Sequence, residues 1–135
     1  MKDVKSVLII DDDNFFNEDI VDLLSFENIS AEKVDSLQEA LKKVDSDVQY
    51  TFFILDVMMS SGELDIGNYH ETGEYLFSHI RKKKKYERTP IAIVSAKNRP
   101  DIDINFNDKH TRHFIKPINL RDIKEIVSFG YAKEG

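Results

Sequence analysis

Five short apolar runs, separated by stretches with helical spacing, constrain the fold of this chain more than any other feature. Each run is rich in Val, Ile, Leu or Phe, except the second, which is weaker. The runs lie at residues 7–10, 30–35, 50–55, 91–95 and 113–117. Continuous apolar runs of this length are typical of strands that are covered on both faces. We therefore predict five strands.

The segments between the runs place apolar residues about 3.6 residues apart, as amphipathic helices do. Helices are predicted within 14–28, after Ser36, within about 72–86 and after Asn119. Ser36 with Glu39 forms a capping-box signature, Asn119 is a suitable N-cap, and Asp13 is the expected cap of the first helix. The alternation predicts one α/β domain, residues 1–135, with a parallel sheet, right-handed crossovers and helices on both faces.

Composition narrows the class of protein. The chain has no cysteine, which excludes disulfides and thiolate sites and agrees with a reducing compartment, so we expect a cytoplasmic location. The apolar stretch near the N-terminus is too short for a signal peptide or a membrane span. Acidic residues outnumber basic ones by 25 to 19, giving a net charge of −6. This charge argues against direct binding to nucleic acid.

One basic run, RKKKKYER at 81–88, stands against this negative charge. We interpret it as a solvated helix end, where lysines also interact favourably with the helix dipole. A docking patch for an acidic partner is the alternative.

The residues at or near the ends of the apolar runs are the candidates for a functional site. Asp11 and Asp12 follow the first run, Asp56 the third, Ser95 ends the fourth, and Lys116 lies in the fifth. Parallel strands end at one edge of their sheet, and ligands of such sheets bind there. We expect these five residues to lie together.

Three carboxylates at one edge repel each other, by roughly 4 kcal/mol for a pair 4 Å apart at an effective dielectric near 20. They therefore favour a bound cation, and all-oxygen ligands indicate magnesium rather than zinc. Magnesium keeps several waters, which suits a site that a phosphoryl group enters. Lys116 would add a positive charge and Ser95 a hydrogen-bond donor. Asp56 is the candidate nucleophile, because carboxylates form aspartyl-phosphate intermediates.

The motifs VLIIDDD, FFILDVMM, IAIVSAK and FIKP, in this order and at these spacings, resemble the receiver domain of bacterial two-component response regulators. The resemblance covers essentially the whole chain. It implies a flavodoxin-like fold, a doubly wound five-stranded parallel sheet with strand order 2-1-3-4-5. It also implies a stand-alone regulator, since no residues remain for an output domain unless the chain is a fragment of a longer protein.

By this resemblance Asp11 and Asp12 would hold Mg²⁺ together with Asp56 and the backbone carbonyl of Met58. Asp56 would be the phosphoacceptor. The implied reaction is transfer from a phosphohistidine of a sensor histidine kinase or histidine phosphotransfer protein to Asp56, followed by hydrolysis. The domain would catalyse only its own phosphorylation and dephosphorylation and would signal to a downstream protein through a conformational switch.

The resemblance assigns two further residues. Ser95 would be the hydroxyl that moves toward the phosphoryl group, and Lys116 the lysine of the family motif. Met58 and Lys97 would flank the path of the hydrolysing water. Because Met58 is large and apolar, we predict a moderately long-lived phosphoryl group on Asp56.

The chain departs from the family pattern in three places. Ser60 replaces the usual proline, and Gly73 lies further from Asp56 than the family's glycine does, so residues 60–71 look like an insertion. We interpret the insertion as a tolerated surface loop, and a lid or partner contact is the alternative. His113 stands where many receivers have Tyr or Phe, which predicts either an altered, pH-dependent switch or a plain surface histidine. Residues 99–112 lack helical spacing, so we expect a short or irregular helix there.

Two other functions remain as alternatives. A receiver-like module could signal by protein contacts without phosphorylation, although every reacting position here is filled. A magnesium-dependent phosphatase could use an aspartyl nucleophile within Asp11, Asp12 and Asp13. Phe15 and the short chain argue against the phosphatase, which expects Thr or Val soon after the acids and a large cap domain.

Overall fold

The computed structural model describes residues 5–12, 14–26, 28–57, 59, 62–68, 71–95, 108–115 and 118–131, and it describes residues 14–19 without their side chains. These residues include five strands, all parallel, in one sheet with the order β2-β1-β3-β4-β5. The strands are β1 (Ser6–Ile10), β2 (Ser30–Val34), β3 (Phe52–Asp56), β4 (Ile91–Ser95) and β5 (Thr111–Ile115). The predicted sheet and its strand order are confirmed.

Four α-helices are found among the described residues, α1 (Asn14–Phe26), α2 (Leu37–Val44), α3 (Thr72–Arg81) and α4 (Leu120–Gly130). Asn119 is confirmed as the N-cap of α4 and forms a complete capping box with Asp122. Ser36 is confirmed as the N-cap of α2, because it accepts from the Glu39 N–H, but the described residues show only this half of the predicted capping box. Asp13 and residues 99–107 lie outside the described residues. No described helix is long and apolar enough to cross a membrane.

The helices cover both faces of the sheet, as the apolar strands predict. Alternate residues of each inner strand therefore enter different cores. One core joins Leu8, Ile10, Phe53 and Leu55 to buried side chains of α2 and α3. The other joins Val7, Ile9, Phe52 and Ile54 to buried side chains of α1 and α4.

The structure corrects three predicted boundaries. β3 begins at Phe52 rather than residue 50, because the Thr51 hydroxyl bonds to both the N–H and the carbonyl of Ser6. β5 begins two residues before position 113, at Thr111. The third helix ends at Arg81, and a 3₁₀ turn at Lys84–Tyr86 follows. This turn buries the Tyr86 ring edge-on against Phe53, with ring centroids 4.8 Å apart.

The interpretation of residues 81–88 as a solvated helix end is wrong for part of the run. The Arg81 side chain is only 13% exposed and pairs with Asp108 at 2.9 Å. Lys83 pairs with Asp45 at 2.7 Å, and Tyr86 is fully buried. Lys82 and Lys84 are exposed, so the alternative of a docking patch stays a prediction for that part of the run.

Candidate functional site

An acidic cluster lies at the edge of the sheet where the strands end. It consists of Asp11 and Asp12, which follow β1, and Asp56, the last residue of β3. One carboxylate oxygen from each lies within 4.8 Å of the other two. Asp11 and Asp56 are 1% and 5% exposed, whereas Asp12 is exposed. The structure thus brings together the three carboxylates that the sequence placed at this edge.

The sheet backbone fixes the two buried carboxylates. The Asp11 N–H donates to the Val34 carbonyl at 3.1 Å, which extends the contact between β1 and β2 by one residue. Asp56 is in register with Val94, and the next residue, Val57, donates to the Val94 carbonyl at 3.1 Å. Asp56 therefore stands within a strand, and Asp11 directly follows one, with its backbone bonded to the neighbouring strand.

Ser95 ends the neighbouring strand, β4, and is 3% exposed. It follows Val94, the residue in register with Asp56, so it lies at the same edge of the sheet. Lys116, Met58 and Lys97, to which the sequence also assigned roles, lie outside the described residues. His113 lies in β5, half-buried and in register with Ile93, and its predicted switching role stays a prediction.

The donor set fits a magnesium ion. All three groups offer carboxylate oxygens, which are hard ligands of the kind that Mg²⁺ prefers. Oxygens that share one octahedral Mg²⁺ at about 2.1 Å lie roughly 3 to 4 Å apart. The observed limit of 4.8 Å is close to this spacing. Zinc sites, in contrast, commonly use Cys or His, and neither belongs to this cluster.

Gly73, in the first turn of α3, contacts the backbone beside the cluster. Its N–H donates to the Val57 carbonyl at 3.0 Å, and an added Cβ would lie 2.5 Å from Val57 Cα. The sequence identified this glycine only by comparison with the family pattern. The close approach to Val57 is the physical reason for glycine at this position.

The described part of the insertion, residues 62–68, has a defined conformation. Gly62 and Gly67 have φ values of 64° and 66°, and Asp65 accepts a hydrogen bond from the Gly67 N–H at 2.8 Å. Ile66 packs against the core beside α2 and α3. Residues 62–64 and 35–38 together line a cavity of about 540 Å³. This part of the insertion therefore lies beside the connection between β2 and α2. Its role as a lid or partner contact stays a prediction.

Comparisons with known proteins agree with this architecture. The family model of the response regulator receiver domain matches residues 7–128. The two-component response regulator ORR13 of rice (Oryza sativa subsp. japonica) is 24% identical over 124 residues, which cover 91% of this chain and 95% of that protein.

Two solved structures show the same fold. The chemotaxis protein CheY4 of Vibrio cholerae is 20% identical with a TM-score of 0.79, over 95% of this chain and 99% of that one. The receiver domain of the sensor histidine kinase PA1611 of Pseudomonas aeruginosa is 15% identical with a TM-score of 0.73, over 97% and 100% of the two chains. That structure contains a magnesium ion coordinated in its active site cleft.

Proposed function

This chain belongs to the response regulator receiver domain family, and on that premise we propose that Asp56 accepts a phosphoryl group from a phosphohistidine. The observation that carries the proposal is the convergence of Asp11, Asp12 and Asp56 within 4.8 Å at the edge of the sheet. Of these, Asp56 alone ends a central strand, where a buried backbone holds it in place. A fixed nucleophile favours phosphoryl transfer, which depends mainly on position and charge.

The acidic cluster would hold Mg²⁺. Carboxylate oxygens of Asp11, Asp12 and Asp56 are the donors, and by resemblance to the family the Met58 carbonyl would complete the set. When bound, the ion neutralises negative charge on the carboxylates and on the entering phosphoryl oxygens. Without it, the clustered negative charge would oppose the approach of any phosphorylated donor.

The proposed transfer is a nucleophilic displacement at phosphorus. A carboxylate oxygen of Asp56 forms a bond to phosphorus as the bond from phosphorus to the donor imidazole breaks. The bonding electron pair returns to that ring, which takes up a proton. Asp56 then carries a mixed anhydride, and attack by water on the phosphorus later restores the carboxylate and releases phosphate.

Ser95 and Lys116 would act on the transferred group. The Ser95 hydroxyl would donate to a phosphoryl oxygen, a role supported by its burial at the end of the strand next to β3. Lys116 would supply a positive charge for the same oxygens, a role that rests on the sequence motif. Movement of Ser95 toward the phosphoryl group would begin the conformational switch.

The partners follow from the family. We propose that the donor is a sensor histidine kinase or a histidine phosphotransfer protein and that the phosphorylated form acts on a downstream protein. Direct contact with nucleic acid is not expected at a net charge of −6. The cytoplasmic location, the single domain over residues 1–135 and the stand-alone role stay proposals.

The test is incubation with Mg²⁺ and acetyl phosphate, followed by intact-mass measurement. The wild type should gain the mass of one phosphoryl group, and Asp56→Asn should gain none, because an amide is not a nucleophile of this kind. Asp35→Asn is the matched control, since Asp35 is an exposed acid outside the cluster, and it should react like the wild type. A wild type that binds Mg²⁺ without gaining a phosphoryl group would contradict the proposal and favour the module that signals by contact alone.

A further inference from the structure

The first turn of α3 packs against the backbone that carries Asp56. Besides the hydrogen bond from Gly73 to Val57, the two backbones approach so closely that a side chain at position 73 has no room. A Cβ there would lie 2.5 Å from Val57 Cα, 3.0 Å from its carbonyl oxygen and 3.1 Å from the Asp56 carbonyl oxygen. Non-bonded carbon atoms normally approach to about 3.5 Å. Only glycine fits without movement.

The same stretch of backbone is held on its other side by the sheet. The Val57 N–H donates to the Val94 carbonyl at 3.1 Å, and Val57 is fully buried. The backbone of Val57 is thus fixed between β4, through its N–H, and α3, through its carbonyl. A displacement of Val57 would therefore move Asp56 as well.

We propose that Gly73 is a positioning residue that sets the place of the Asp56 carboxylate within the acidic cluster. This inference rests on the proposed function, since it assigns Gly73 a role in the same site. Relief of the 2.5 Å contact requires a movement of about 1 Å. Leu76 and Ile80, which anchor α3, are fully buried, so the helix resists that movement and the strand end takes up part of it. Magnesium demands near-ideal octahedral geometry and tolerates such a shift poorly.

The test compares Gly73→Ala with Gly130→Ala. Gly130 is a matched control, because it is a buried residue of a helix whose added Cβ would lie 2.6 Å from the Phe52 ring. Phe52 begins β3, at the other end of the strand from Asp56. Both variants should therefore lose stability, but only Gly73→Ala should disturb the site.

Three quantities are measured for each protein: the melting temperature, the Mg²⁺ dissociation constant from NMR titration, and the initial rate of phosphorylation by acetyl phosphate. Gly73→Ala should raise the dissociation constant at least about fivefold and lower the rate at least about tenfold, whereas Gly130→Ala should stay within about twofold of the wild type in both. Wild-type values for Gly73→Ala, or equal losses in the two variants, would overturn the inference.

A measurement on the wild type decides the case in which Gly73→Ala does not fold. Coupling between Mg²⁺ binding and the contact of Gly73 with Val57 is reciprocal. Mg²⁺ should therefore slow hydrogen exchange of the Gly73 amide. The Tyr131 amide, which donates to the Val127 carbonyl at the end of α4, is the control and should exchange at the same rate with and without the ion. Equal responses of the two amides would contradict a positioning role.

Failure of the proposed function gives a different pattern. If the wild type binds Mg²⁺ but gains no phosphoryl group, the phosphoacceptor role falls, and the titrations of the three proteins still decide the role of Gly73. If the wild type binds no Mg²⁺, both proposals are overturned.

Discussion

Replacement of Arg81 by methionine should destabilise the protein by about 3 kcal/mol. The guanidinium lies at the end of α3 and joins the segments that precede β4 and β5. It donates to both carboxylate oxygens of Asp108, to the Thr111 hydroxyl and to the carbonyls of Tyr86, Thr89 and His110. Methionine keeps most of the apolar stem and removes every one of these donors.

The magnitude follows from burial. Arg81 is 13% exposed, so water replaces few of the lost donors, whereas the 34% exposed Asp108 is partly resolvated. Loss of one partner of a buried ion pair costs about 3–5 kcal/mol, and the exposure of Asp108 places the value at the lower end. For a domain of this size, about 3 kcal/mol lowers the melting temperature by roughly 10 °C.

Urea denaturation measures the effect. Lys82→Met is the matched control, since Lys82 is the next residue and is exposed, and its free energy of unfolding should change by less than about 0.5 kcal/mol. A double-mutant cycle with Asp108→Asn isolates the ion pair from the bonds to carbonyls. If Arg81→Met stays within about 1 kcal/mol of the wild type, the structural role assigned to the guanidinium is refuted.

The same variant should change the response to acid. Partial burial raises the pKa of Asp108, but hydrogen bonds from Arg81 and Thr111 outweigh burial and hold the pKa below the usual 3.8. A lowered pKa in the folded state adds stability above the unfolded value, and this stability is lost as the pH falls through the folded value. Arg81→Met should therefore lose less stability than the wild type between about pH 4 and pH 3.

Two further predictions concern Asp12 and Tyr50. Asp12 lies within 4.8 Å of two other carboxylates, and because it is exposed, water weakens the repulsion to about 1 kcal/mol per pair. Asp12→Asn should therefore raise the melting temperature in EDTA by a few degrees, with a smaller gain in Mg²⁺. A lower melting temperature in EDTA would refute this prediction. Burial raises the pKa of Tyr50 above the usual 10.0, with nearby Glu32 as a further cause. Because the folded-state pKa is raised, stability is lost as the pH rises above about 10. The melting temperature of Tyr50→Phe should therefore decrease less between pH 9 and 11 than that of the wild type. Equal decreases in the two proteins would contradict the assignment.

The acidic cluster could be predicted because its position depends on only two features of the sequence. Continuous apolar runs identify the strands, and parallel strands end at a common edge. Asp11 and Asp56 follow directly, even though the exact boundaries of β3 and β5 were missed. Those boundaries depend on local contacts, such as the bond from the Thr51 hydroxyl to Ser6, which leave no periodic signal.

The roles of Arg81 and Gly73 could not be predicted because they depend on contacts between distant parts of the chain. Arg81 belongs to a run of basic residues whose sequence predicts exposure to solvent. It is instead paired with Asp108, which lies 27 residues away in the sequence. The carbonyls that it also binds carry no sequence signal at all. Gly73 is visible as a glycine near a helix start, but its approach to Val57 exists only once α3 has packed on the sheet.

These two residues act on one helix. Gly73 fixes the first turn of α3 against the strand end that carries Asp56, and Arg81 fixes the last turn against Asp108. With ten residues, α3 is about 15 Å long and behaves as a stiff rod. Because Arg81 holds its far end, α3 cannot easily withdraw to make room for a methyl group at position 73. Val57 and Asp56 therefore move instead, so a methyl group added at position 73 should displace the Asp56 carboxylate within the acidic cluster.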